Sequence, residues 1–216
     1  MRLILFFLRP LYYLLYHQFA WTYDFVANIV SLGQWQSWVQ TALPHLSGRV
    51  LELGFGSGHL QLSIHQQGFT SFGLDESRFM TSQAFWRLRK AGAVPRLARG
   101  LARFLPYPAA SFETVAATFP ADFILEPFTL DEIQRVLVPG GRLVILPLAW
   151  ITGLRPLERF VAWLMRITGE APGQPALLPA SIRELFTSRS FELHQEIVIL
   201  PKSKVLVLLA EKRHGE

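Results

Sequence analysis

The stretch VLELGFGSGHL, residues 50–60, limits what this chain can fold into more than any other. Val50 to Leu53 read as a short buried strand carrying one acid, Glu52, and glycines then alternate at Gly54, Gly56 and Gly58 before an apolar helical run. Alternating glycines end a strand and let backbone pass close to a ligand, while the helix that follows offers unpaired N–H groups at its first turn. A second apolar run, Phe72 to Leu74, ends on Asp75. Strand, glycine loop, helix and strand form one βαβ unit, which commits the chain to a parallel sheet covered by helices.

The rest of the sequence repeats that rhythm. Val115 to Thr118 and Leu143 to Leu146 read as further buried strands with helical stretches between them. Thr129 and Glu132 have the spacing of a capping box opening a helix that Pro139, Gly140 and Gly141 would end; Ser181 and Glu184 repeat the spacing. Leu193 to Leu200 and Val205 to Leu209 are separated by PKSK, short enough for a hairpin, which predicts an antiparallel pair at the sheet edge. The fold class expected is α/β, with a doubly wound, mostly parallel sheet, an antiparallel edge hairpin and an N-terminal helical arm.

A chain of 216 residues holds one domain with an appendage. We divide it into an apolar helical arm, residues 1–48, and an α/β domain, residues 49–216, with a helical insertion and Pro-rich connector at residues 151–180. Within the insertion, Ile151 to Thr168 carry one apolar stripe. Hydrophobic residues reach 50% and mean hydropathy is +0.27, which excludes intrinsic disorder. Cysteine is absent, so disulfides, thiolate nucleophiles and Cys-ligated metals are excluded. The six histidines show no i, i+4 pairing and no carboxylate cluster joins them, so no metal site is expected.

Leu3 to Tyr16 are apolar apart from Arg9 and Pro10, which interrupt any membrane-spanning helix. Arg2, Arg9 and His17 recur near two helical turns apart, so residues 1–21 are expected either to lie in a membrane interface or to pack on protein. The expected location is cytoplasmic, with peripheral attachment to the inner face of a membrane in the case that the arm lies in lipid. The net charge of +5 is concentrated: Arg78 to Arg103 hold seven bases and no acid. A solvated basic face accounts for that run, and no specific nucleic acid is expected as a partner.

Asp75, closing the second strand 17 residues beyond the last glycine, Gly58, is placed to accept hydrogen bonds from both hydroxyls of a ribose, which suggests an adenosine-type ligand. The dinucleotide pattern GxGxxG would need glycine where His59 stands.

LELGFGSG (51–58), GLDES (73–77), LPYPAASFETVAATFP (105–120) and RVLVPGGRLVIL (135–146), in this order, resemble the class I S-adenosylmethionine-dependent methyltransferases, in particular their type 11 branch. The resemblance implies a seven-stranded Rossmann-like sheet and S-adenosylmethionine as cofactor. It implies cofactor contacts from Glu52, Gly54, Phe55, Gly56, Gly58, Asp75, Leu101 and Thr118, with the glycine loop under the methionine part and Thr118 to Pro120 facing the methyl group. Leu101 stands where the family commonly has an acid for the adenine amino group, and Glu113 replaces a more usual aspartate. Tyr23, Asp24 and Phe119 are the candidates on the acceptor side; no catalytic base is assigned. The expected activity is methylation of a small hydrophobic, lipid- or quinone-like molecule. Its alternatives are a nucleic-acid methyltransferase and a non-catalytic cofactor-binding scaffold.

Overall fold

The structure is a computed structural model and describes residues 27–153, 156, 159 and 178–213. Tyr23 and Asp24, the apolar arm at residues 1–21, most of the Ile151 to Thr168 stretch expected to be helical and most of the connector that follows it lie outside the described residues.

In chain order the elements are α1 (Trp35–Gln40), β1 (Arg49–Leu53), α2 (His59–Gln66), β2 (Thr70–Asp75), α3 (Arg78–Lys90), β3 (Leu97–Arg99), β4 (Phe112–Thr118), α4 (Pro127–Val136), β5 (Leu137–Ile151), α5 (Ala180–Thr187), β6 (Phe191–Leu200) and β7 (Ser203–Lys212). They build one seven-stranded sheet in the order β3-β2-β1-β4-β5-β7-β6. β1 to β5 pair in parallel, whereas β7 runs antiparallel to both β5 and β6. The expected hairpin is present, turning at Pro201 and Lys202 and leaving β6 as the edge strand.

Both sheet faces are covered, which explains why the central strands read as unbroken apolar runs. Side chains alternate between faces. Leu51, Leu53, Val115, Ala117, Leu143 and Ile145 point to the layer of α4 and α5, where they meet Leu130, Ile133 and Phe186. Val50, Ala116, Val144 and Leu146 point the other way, to Trp38 and Val39 of α1 and Leu60 and Ile64 of α2. Trp38 is tied down further, its indole N–H donating to Ser203 Oγ of β7 at 2.8 Å while that hydroxyl donates to Gln34 Oε1 at 2.8 Å.

Three local expectations are corrected. Thr129 is not a cap: it is buried inside α4, which starts at Pro127 after Glu126 with no capping side chain. Ser181 likewise lies within α5, after Pro179. Proline already fixes the backbone angle of a helix start and has no N–H to satisfy, so Pro127 does without a cap at its own position. Finally, Pro139, Gly140 and Gly141 do not terminate the helix, which ends at Val136; they belong to the start of β5, where the β4 pairing jumps from Phe112–Leu137 to Thr114–Arg142. At this irregularity a Cβ on Gly141 would sit 2.9 Å from the Val138 carbonyl and 3.1 Å from the Glu113 carbonyl, so glycine is required by close backbone approach.

Candidate functional site

The strand order turns back on itself between β1 and β4, and in open α/β sheets the crevice at such a point, beyond the carboxyl ends of the strands, is where ligands bind. The glycine loop leaves β1 at this position. Gly54, Gly56 and Gly58 have φ of +66°, +52° and +86°, a region that side chains disfavour. The Gly54 N–H donates to the Leu74 carbonyl at 2.8 Å, and Gly58 packs so tightly on α3 that a Cβ there would lie 2.8 Å from the Ala84 Cβ. Gly56 is different: space is open where its side chain would be.

Asp75 holds this loop. Its carboxylate accepts from the Gly56 N–H at 2.9 Å and from the Ser77 N–H at 2.8 Å, although the residue is only 3% exposed. Burial raises its pKa, the two N–H donors oppose that, and neighbouring Glu76 adds a smaller upward push. Ser77, which sequence reasoning passed over, then caps α3 by accepting from the Met80 N–H at 3.3 Å. Its signal was legible: a serine directly before a helical run is a capping residue. Arg87, from the last turn of α3, donates to the Ser57 carbonyl, so α3 grips the loop at a second point.

Glu52 lies beneath the loop, 1% exposed, hydrogen-bonded by Gln61 of α2. Among the described residues its Oε2 has no partner. Burial pushes its carboxyl up to about 8; the Gln61 side chain opposes this, and the Asp75 charge reinforces it. Gln61 also donates to the Phe72 carbonyl at 3.0 Å, so it bridges the acid to β2. Phe55 is 3% exposed and covers Gly73, where a Cβ would meet its ring at 2.6 Å; its carbonyl accepts from the Gly58 N–H at 2.9 Å, which closes the loop's turn.

At the far side of the crevice, Thr118 ends β4 and Phe119 follows with φ of +49°. A phenylalanine in this region is strained, and such strain persists where surroundings over-determine it, commonly at ligand sites. Here its N–H donates to the Leu146 carbonyl at 2.7 Å and its ring centroid lies 4.8 Å from Trp35 and 6.2 Å from Trp38. Phe123 reaches across to Gly54, 3.2 Å from where a Cβ would stand. This aromatic wall was not read from the sequence, because nothing local relates Trp35 to Phe119. Leu101 is 40% exposed in the loop after β3. That loop is fixed by Glu132 and Arg135 of α4. Glu132 accepts from the Leu105 N–H at 2.7 Å and pairs with Arg135, which donates to the Tyr107 and Leu105 carbonyls at 2.8 and 3.1 Å.

Beside Asp75 a hollow of about 580 Å³ is lined by Glu76, Ser77, Arg78, Phe79, Ser82 and Arg99. Loop, acids and hollow fit a nucleoside ligand with a charged tail: open space over Gly56, a buried carboxyl with an unpartnered oxygen under the loop, and a clasped acid at the ribose position. Among the described residues no group of three metal-ligating side chains occurs, and no helix is long and apolar enough to cross a membrane.

Comparison with known proteins agrees with this geometry. Residues 51–145 match the model of a methyltransferase domain. That stretch is similar to a methyltransferase domain. The glycine loop, Glu52, Asp75, β4 and the first part of β5 fall inside that match. The domain is 34% identical over 132 residues to a demethylmenaquinone methyltransferase of Deinococcus radiodurans, covering 57% of this chain and 54% of that protein. It is 36% identical over 101 residues to a phosphatidylethanolamine N-methyltransferase of Cereibacter sphaeroides, covering 45% of this chain and 49% of that protein. The chain thus spans about half the length of these curated relatives. In fold it is similar to the geranyl diphosphate C-methyltransferase of Streptomyces coelicolor A3(2), with TM-score 0.59 at 12% identity over 82% of this chain and 78% of that one.

Proposed function

We propose that the chain is an S-adenosylmethionine-dependent methyltransferase whose acceptor is a small hydrophobic molecule of the quinone or lipid class. The observation that carries the reading is the clasp between the Asp75 carboxylate and the Gly56 N–H, which fixes three left-handed glycines below an open crevice. When bound, S-adenosylmethionine supplies an electrophilic methyl group on a sulfonium.

The chain's own residues bind and align. The backbone of Gly54, Phe55, Gly56 and Gly58 lies under the methionine part, and Glu52 offers its unpartnered oxygen to the ammonium. Asp75 accepts from the ribose hydroxyls with the lone pairs that Gly56 and Ser77 leave free. Leu101 covers the adenine with apolar surface, and backbone groups of that loop take over recognition of the amino group. Thr118 closes the methyl end. Phe119 forms the acceptor wall with Trp35, while Tyr23 and Asp24 are assigned to the acceptor side from their place before the first strand. Alignment of nucleophile, methyl carbon and leaving sulfur is most of what such a displacement requires, and excluding water with aromatic rings assists it.

The quinone- or lipid-like acceptor is supported by the relatives named for demethylmenaquinone and phosphatidylethanolamine and by the aromatic wall. Residues 1–21 are assigned to a peripheral membrane contact that would bring the chain to such an acceptor, on the cytoplasmic side. The test incubates the full chain with methyl-labelled S-adenosylmethionine and separate quinone and phospholipid extracts. Label is expected in the organic phase; label entering RNA instead, or no turnover above the Asp75→Ala variant, would overturn the reading.

A further inference from the structure

We infer that the exposed face of α3 is a docking surface for an anionic lipid bilayer, separate from residues 1–21 and independent of which acceptor is methylated. At the roughly 100° per residue of an α-helix, Met80, Ala84 and Leu88 share one side, and all three are buried. Arg78, Phe79, Ser82, Phe85, Trp86, Arg89 and Lys90 fall within an arc of roughly 140° on the other. On that arc Trp86 is 68% exposed, Phe85 41% and Phe79 40%, and the Phe85 and Trp86 rings meet edge to face at 5.6 Å.

A solvated helix face normally mixes charges of both signs and keeps large rings inward. This one carries three bases, three aromatic rings and no acid. Rings and cations on one face, without anions, complement an interface where headgroup phosphates meet acyl chains. Val94, 68% exposed just past the helix, extends the apolar character. RNA also receives bases and rings, but it binds through a groove whose flat ring faces are free to stack; here two of the three rings are engaged edge to face on a convex helix.

The face is rigidly joined to the site. Ser77 and Asp75 hold the start of α3, Arg87 grips the Ser57 carbonyl, and the Ala84 side opposes Gly58. A second hollow of about 350 Å³, lined in part by Trp86, shares Phe79 and Ser82 with the hollow beside Asp75. A bilayer against this helix would therefore lie next to the ribose end of the crevice.

The experiment floats the full chain with vesicles of phosphatidylcholine alone and with phosphatidylglycerol added, at low and high salt. It is repeated with the double variants Phe85→Ser/Trp86→Ser and Arg89→Gln/Lys90→Gln. Expected are binding that requires phosphatidylglycerol and weakens with salt, and a fall of about tenfold in partition for each double variant. Affinity for S-adenosylhomocysteine, measured by calorimetry, should stay unchanged in both variants, separating a lost surface from a lost fold. Equal partition of wild type and both variants would overturn the proposal, as would equal binding to neutral vesicles. Variant-sensitive retention of tRNA, or a concentration-dependent dimer abolished by Phe85→Ser/Trp86→Ser without vesicle binding, would overturn it in favour of those partners. Absence of S-adenosylhomocysteine binding by the wild type would refute the proposed function and leave this surface standing.

Discussion

Replacing Glu52 by glutamine should change how stability depends on pH. Glu52 is fully enclosed between β1 and α2, and its carboxyl is pushed up to about 8 from an ordinary 4.5, chiefly because burial disfavours the charge. An acid raised in the folded state holds its proton where the unfolded chain has released it, so stability falls as pH rises between the two values. At 1.36 kcal/mol per pH unit, the full span corresponds to on the order of 5 kcal/mol. Glutamine keeps the size and a hydrogen-bonding oxygen for Gln61 but has nothing to ionise. Urea unfolding of both proteins at steps from pH 5 to 8.5 measures the difference. The wild type should lose several kcal/mol across that range relative to Glu52→Gln, with curves converging toward acid pH. Parallel pH profiles would show that Glu52 is not held protonated by burial, and the account of the loop underside would fail.

Other consequences follow from the same geometry. Asp75→Ala removes one charge-assisted hydrogen bond to the loop at Gly56, one to Ser77 before α3, and the expected ribose acceptor; with the lost bond to ligand at about 1.5–3 kcal/mol, S-adenosylhomocysteine affinity should drop roughly ten- to 200-fold by calorimetry. Glu132→Ala leaves the buried Leu105 N–H unpaired and should cost about 1–3 kcal/mol in denaturant unfolding at neutral pH. The Glu132 carboxyl is held below its ordinary value, first by its hydrogen bond to Arg135, so the stability it contributes is present above the unfolded pKa. That difference from wild type should therefore shrink as pH falls through the folded value. Gly141→Ala forces a Cβ against two carbonyls that belong to the sheet, and a loss of about 1–3 kcal/mol is expected by the same measurement.

What the sequence disclosed was mostly what backbone demands locally. Glycines at alternate positions before a helix, an acid closing the next strand and a short hairpin connection are all local requirements, and the structure contains each of them, with the connection tightened to Pro201 and Lys202 because Ser203 already pairs with Leu200. Capping boxes were misread because Thr129 and Glu132 have the i, i+3 spacing of any helical pair; Glu132 uses that spacing to reach Arg135, its partner one turn on. Only tertiary placement separates the two uses. β5 was seen as four residues because Pro139, Gly140 and Gly141 look like breakers, whereas the bulge absorbs them and the strand runs on to Ile151. The aromatic wall joins residues 84 positions apart and was invisible for that reason.

The same division between local and distant information shapes the candidate site. Its side chains act largely on backbone: Asp75 on Gly56, Arg87 on Ser57, Glu132 and Arg135 on the loop from Leu105 to Tyr107. Leu101 cannot accept a hydrogen bond from its side chain, so specificity for adenine in the proposed function falls to the backbone of its loop. That loop is held from α4 by the bidentate pair of Glu132 and Arg135. Adenine recognition would then be coupled to a salt bridge that touches no ligand atom. Glu132→Ala should accordingly weaken S-adenosylhomocysteine more than it weakens methionine-like fragments lacking the base, in competition calorimetry at neutral pH. Equal weakening of both would place the effect in general destabilisation and return the burden of adenine recognition to residues outside this loop.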